Sequence, residues 1–489
     1  MLVLKLVDFH EQLKLNNLSK RTSKEVVKDC VKITREDIVW EHRIIKNVVF
    51  ETIVLLYDAD LICGLSFEYC EFKAGVVFNN ISIPNFDERV FSINASLVFY
   101  ECKATRIQLL NGTSLNRALI IDCKSEVDDL VIVDTVIGNG GIKIKESVIS
   151  KSIDFSRLNS YSFSVNNSLI KVGIILSNIS LNGLSFLDSE FSEKIKIYNL
   201  ETKSSGFTLN RNVFKKSVII ESSRIEGLFI HEDEFLNEFK VILKSISNQV
   251  NSSLKELYIT EAKFLNRFIL DGKGKEIEKV TLPITTTLQG VIKLDNFNIL
   301  ELYLSGVNEN LNLIFKRIGF KKLSINDFSN NSEVTFSNSF GLKDSLMEVV
   351  DTDLGGAKFN DFSFKSFNKL KINNAFLNNI VCINTEWFDD EQLEFSEIHK
   401  GAYKVFRNKR EIYRQIKQAL SSSGNLIDSL NFKARELSAY DEELTVSKTK
   451  SFGDKIIMSV SRTNNYGLSW LKPTWLIIRI TLISYTIML

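Results

Sequence analysis

A steady beat of short apolar pairs limits this chain to very few folds. From Leu97 to Phe239, pairs of the form apolar-x-apolar begin at Leu97, Ile107, Leu119, Leu130, Ile142, Ile153, Phe163, Ile174, Leu184, Ile195, Phe207, Val218, Leu228 and Phe239, in steps of 10 to 12 residues. Segments such as IDFSRLNSYS, IILSNISLNG and VIIESSRIEG place two inward residues in alternation with outward ones, as a half-buried strand requires. So short a strand cannot close a core alone. Stacked at the usual strand spacing of ~4.8 Å, successive segments bury one continuous apolar column. The expectation is a mainly β chain: a right-handed parallel β-helix with about eleven residues per half-coil and roughly 22 per coil.

A second signature overlaps the first. CEFKAGVVF, SEFSEKIKI, NVFKKSVII, DEFLNEFKV, AKFLNRFIL and NAFLNNIVC share one frame, predicting that Phe72, Phe191, Phe214, Phe235, Phe264 and Phe376 plug the coil interior at a corner. These segments resemble bacterial pentapeptide-repeat proteins, whose quadrilateral β-helix carries a central Leu or Phe. The resemblance covers about residues 63–390. The tail YRQIKQAL…GNLIDSLNFKARELSAY…YGLSWLKP is similar to that of membrane-associated members, and the resemblance implies that further transmembrane helices follow.

The beat divides the chain. Residues 1–62 lack it and are expected to cap one end; residues 63–390 form the solenoid. KSISNQVNSSLKE, GKGKEIEKVTLPITTT and TDLGGAK read as protruding loops. After residue 390 the period becomes helical. Residues 391–446 form a hairpin with stripes Ile412, Ile416, Ala419, Leu420 and Leu426, Leu430, Ala434, Leu437. Residues 447–472 are a basic juxtamembrane segment, and 473–489 a transmembrane helix with one charge, Arg479. Its membrane-contacting residues are Trp470, Pro473, Trp475, Leu476, Ile477, Ile478, Ile480, Leu482 and Ile483, with the indoles at the headgroup boundary. Asp8, His10 and Glu11 break the apolar start before a signal peptide could form, and Lys448, Lys450, Lys455, Arg462 and Lys472 flank the helix. Both features place the solenoid on the cytoplasmic side of the inner membrane.

Chemistry is sparse by comparison. With 61 basic and 60 acidic residues, nothing global points to nucleic acid. The six cysteines form no CxxC pair and read as free thiols, with Cys102 and Cys123 spaced to share a face. His231-Glu232-Asp233-Glu234 alternates across a strand and so does not converge on a metal. Asp128-Asp129, Asp389-Asp390-Glu391 and Glu442-Glu443 lack the convergence a glycosidase needs. Gly138-Asn139-Gly140-Gly141 lacks a P-loop lysine and reads as a wide corner. Lys404, Arg407, Arg410, Arg414 and Lys417, with Tyr403, Phe406 and Tyr413 between, form a surface for an anionic ligand or lipid, set against a solvated helix face. No cofactor and no enzymatic activity is expected. The expected function is a membrane-tethered scaffold presenting a cytoplasmic surface to a protein partner or a second copy. The alternative is the sensor of an oligomeric membrane effector, and a carbohydrate-active enzyme stands third.

Overall fold

The computed structural model describes residues 2–37, 43–60, 64–83, 96–244, 252–395, 402–446 and 452–488. The chain is mainly β, with 56% of it in strands wound into a solenoid of about 14 turns. Its helices are α1 (Leu6–Lys14), α2 (Ala402–Ser422), α3 (Leu426–Val446), α4 (Phe452–Thr463) and α5 (Leu471–Met488). It divides into one unit of residues 1–281 with 287–297 and another of 282–286 with 298–489.

In the first unit the described strands pair in parallel, and their register agrees with the expected coil length. Ile153 lies beside Ile174, Ile174 beside Ile195, and Ile195 beside Val218, steps of 21, 21 and 23 residues. Leu130, Ile132, Ile153, Phe155, Ile174, Leu184, Phe186, Ile195, Ile197, Phe207, Val218 and Ile220 are all buried. Phe191, Phe214, Phe235 and Phe264 stack face to face with ring centroids 4.9, 4.8 and 5.1 Å apart, close to the strand spacing. Corners turn through left-handed residues such as Asn167, Asp188, Arg211, Glu232 and Glu261. Asn and Asp tolerate that conformation best; Arg and Glu are held in it by the stacked neighbours.

Two boundaries differ from expectation. The parallel ladder begins at Leu2 rather than residue 63, because Leu2–Val3 lies beside Glu25–Val26, Glu25–Val27 beside Val48–Phe50, and Val31–Ile33 beside Val54–Leu56. α1 and the turn Asn17–Lys20 lie between the first two of these strands as a helical cap, with Phe9, Leu13 and Leu18 buried. GKGKEIEKVTLPI is not a loop but part of the 22-residue strand Lys263–Ile284, whose Ile277 and Val280 face the core while its charges face out. Of KSISNQVNSSLKE, residues 245–251 lie outside the described residues, and its last four residues begin the strand Ser253–Thr260.

In the second unit, Leu313 lies beside Val334, Thr335 beside Lys358 and Lys358 beside Val381. Phe315, Phe336 and Phe359 continue a stacked ladder with interplanar angles of 7° and 6°. α2 and α3 then cover the last coil. Gln415 accepts from the Leu377 N–H (2.6 Å), Arg435 donates to the Phe388 carbonyl (2.8 Å), and Phe432 packs edge-on against Trp387. Phe388 and Ile372 are buried by this cap, but Phe376 is 58% exposed and plugs nothing. On α2 the expected stripe is buried. On α3 it is buried only in part: Ala434 is buried as expected and Leu437 half-buried, but Leu426 and Leu430 face solvent, and Phe432, Ala439 and Leu444 face inward instead. The Phe432 ring, needed against Trp387 and Phe388, sets that rotation.

Candidate functional site

At the coil corners the backbone N–H points into the core and needs an acceptor. The next coil supplies one. Cys102 donates to Ser125 Oγ, Ser147 to Ser168 Oγ, Ser168 to Ser189 Oγ and Ser189 to Asn212 Oδ1, at 3.0 to 3.1 Å. Asp233 continues this buried column; burial raises its carboxyl pKa to about 7, although Asn212 and the His231 N–H donate to it. Cys102 stacks on Cys70 in the same column rather than on Cys123, which sits at a left-handed corner beside Tyr100. Burial pushes the Cys70 thiol well up.

The acidic candidates are tied into ion pairs or caps. Lys151 and Ser150 hold the Asp128 carboxyl below its ordinary range, and Arg106 meets Asp129 at 3.5 Å. Asp389 caps the turn Asp390–Gln392, Asp390 accepts from Tyr413 (2.7 Å), and Glu443 pairs with Arg410 (3.1 Å). The glycine run is a tight corner, where a side chain on Gly138 would run into the Asn116 carbonyl. His231 and Glu232 do converge with a residue the sequence order hides: Glu261 arrives from the next coil, and the three ligand atoms lie within 4.8 Å of one another. Imidazole and two carboxylates suit a divalent transition metal. All three side chains are exposed or half-buried.

The basic run on α2 is mostly consumed by its own hairpin. Arg410 pairs with Glu443 and lies over the Tyr440 ring, Arg414 pairs with Glu411 and Lys417 with Glu436. Lys404 and Arg407 are exposed, with no ion pair among the described residues. The anionic-ligand surface expected there therefore shrinks to those two cations.

A run of exposed apolar side chains lies on the C-terminal helices. Buried Asp441 on α3 accepts from Arg462 of α4 and from the Tyr466 hydroxyl (2.8 Å), which fixes the turn leading into α5. Trp475, Leu476, Ile477 and Ile478 are 44 to 64% exposed. At 100° per residue these four consecutive positions cover every side of α5. Trp470, Ile480, Leu482 and Ile483 are exposed too, Pro473 is half-buried, and Arg479 lies over the Trp475 ring at 5.9 Å. The expected transmembrane helix is corrected here: among the described residues no helix is long and apolar enough to cross a membrane. Eighteen residues rise about 27 Å, against about 30 Å of hydrocarbon, and Lys472, Pro473 and Arg479 interrupt the apolar run.

No family model, no curated protein and no solved structure matches this chain, so the fold and these side chains are what bear on its function.

Proposed function

We propose that the protein is a membrane-attached β-solenoid that presents its coil surface to a macromolecular partner. The observation that carries this reading is the exposure of apolar side chains around the whole circumference of α5. A groove on a partner would cover one face of such a helix; hydrocarbon covers them all. In this reading the helix enters the bilayer with Trp470 and Trp475 at the boundary and Arg479 reaching back toward the headgroups. Ile456, Ile457 and Val460 of α4 add an exposed apolar stripe beside the basic Lys455 and Arg462.

The coil surface supports the display role. Its long charged side chains pair from one coil to the next, as in Lys103–Glu126, Arg211–Asp188, Arg224–Glu201 and Arg267–Glu238. Side chains already held in place lose less entropy when a partner binds. The likeness to pentapeptide-repeat proteins is supported by the Phe ladder and opposed by coil steps of 21 and 23, which are not multiples of five.

Flotation of the full chain with phosphatidylcholine–phosphatidylglycerol vesicles tests the attachment. The chain is expected to float, and a variant carrying Ile478→Asp and Ile483→Asp to stay in the dense fraction. Equal flotation of the two would sink this reading.

A further inference from the structure

A cleft of about 390 Å³ opens between the last coil, α3 and the turn Asn465–Gly467 that leads into α5. That volume is within the range of small-ligand sites. Trp387, Asp390, Asp428, Phe432, Arg435 and Tyr466 are among its lining residues. Its chemistry is unusual for a structural seam. The Trp387 Nε1–H is buried and meets no acceptor among the described residues, although a buried donor left without a partner is costly. The indole cannot easily turn away to find one. It stacks on Phe364 at 5.2 Å and is met edge-on by Phe432 at 4.8 Å.

Arg435 is held by the Phe388 carbonyl through one nitrogen and lies 5.2 Å over the Phe432 ring. Asp390, 3.6 Å from that guanidinium, also accepts from Tyr413. Asp428 accepts from the Asn425 side chain at 2.8 Å. The cleft is thus lined by an indole whose N–H is orphaned and by a guanidinium, groups that suit an anionic oxygen, and by two carboxylates with aromatic rings that suit a cation.

We infer that this cleft binds a phosphate ester of a primary amine, of the kind a phosphatidylethanolamine headgroup presents. A phosphate oxygen accepts from Trp387 and Arg435, and the ammonium donates to Asp428 and Asp390. Leu468, which also lines the cleft, stands two residues before Trp470 and three before α5, so a lipid beside that helix is the nearest source. This choice of source rests on the membrane reading; the phosphate–ammonium chemistry does not.

The test uses the full chain. Calorimetric titration with glycerophosphoethanolamine is expected to show saturable binding, weakened at least tenfold by Trp387→Phe, which keeps a ring but removes the N–H, and by Asp428→Asn. Glycerophosphocholine, whose quaternary ammonium cannot donate, and glycerol phosphate, which has no cation, should each bind at least tenfold more weakly. Adding phosphatidylethanolamine to phosphatidylcholine vesicles should raise flotation several-fold, and Trp387→Phe should abolish that rise with basal flotation kept. Equal binding of glycerol phosphate would overturn the ammonium pairing. No binding of glycerophosphoethanolamine, together with flotation indifferent to phosphatidylethanolamine, would overturn the site and leave membrane attachment standing. Binding of the soluble ester by a chain that does not float would keep the site and remove the lipid as its source.

Discussion

Asp233 sits in register beside Asn212 and receives both its backbone N–H and its side-chain amide on one oxygen, each at 2.8 Å. Asn212 in turn passes a second N–H to the Phe186 carbonyl at 2.7 Å. One buried carboxyl therefore continues a column of hydroxyls and amides that satisfies the inward N–H groups of the coil corners.

That position makes stability depend on pH. The Asp233 pKa is about 7 in the folded chain, against 3.8 for an ordinary Asp, because burial disfavours the charged form. Between those values the unfolded chain has lost its proton and the folded chain keeps it. The contribution is fully present below pH 4 and is lost as pH rises toward 7. A shift of this size amounts to roughly 4 kcal/mol at pH 8, and Asp233→Asn, which cannot ionise, should recover most of it. Melting temperatures at pH 5 and pH 8 test this: the wild type should lose several degrees between them and Asp233→Asn much less. Equal losses in both chains would mean that Asp233 does not control the pH response.

Phe214 lies between Phe191 and Phe235, with interplanar angles of 7° and 3°. Phe214→Ala leaves a void that neither neighbour can fill without leaving its own coil, and should cost about 3–5 kcal/mol. Denaturant unfolding measures it, and a midpoint close to that of wild type would refute the ladder as a stabilising element.

The apolar columns were legible because inward positions on a β-coil repeat at fixed spacing and carry no polar atoms. The first coils were not, since Val31–Ile33 and Val48–Phe50 are too short to establish a beat. Nor was the strand Lys263–Ile284, where outward Lys and Glu mask the inward Ile277 and Val280. Ser125, Asn212 and Asp233 look like turn residues in sequence, and only the register shows that each accepts from a neighbouring coil. Glu261 joins His231 and Glu232 across a coil lengthened to 29 residues, as Phe239 beside Phe268 shows. Most exposed apolar residues of α5 were named from sequence, Leu471 and Tyr485 being the exceptions, because an unbroken apolar run is visible without any knowledge of register. The donors and acceptors around Trp387 were missed because they come from elements about forty to eighty residues apart.

Asp441 ties Arg462 and Tyr466 to α3 while itself nearly buried. Asp441→Asn removes the charge that both partners meet and should loosen the segment before α5 by about 1–3 kcal/mol. Limited proteolysis should then cut between residues 452 and 470 several-fold faster while the coils stay intact. Unchanged cleavage there would show that the contact does not hold the segment.

On the proposed membrane attachment, Arg479 is the residue that sets how deeply α5 enters a bilayer. It stands eight residues into the helix, with its guanidinium over the Trp475 ring one turn earlier. From there the side chain reaches toward the headgroups and avoids most of the ~2.5–3.5 kcal/mol charged for a cation at mid-bilayer. Reaching back fixes the depth, because sinking further would drag the charge into hydrocarbon. Arg479→Leu frees that limit and joins Ile478 to Ile480 in one apolar run. The variant should float more completely than wild type, and its Trp475 emission should shift to the blue as the indole leaves the interface. A wild-type flotation level with unchanged emission would show that Arg479 does not set the depth, and reduced flotation would show that its charge attracts the chain to the surface.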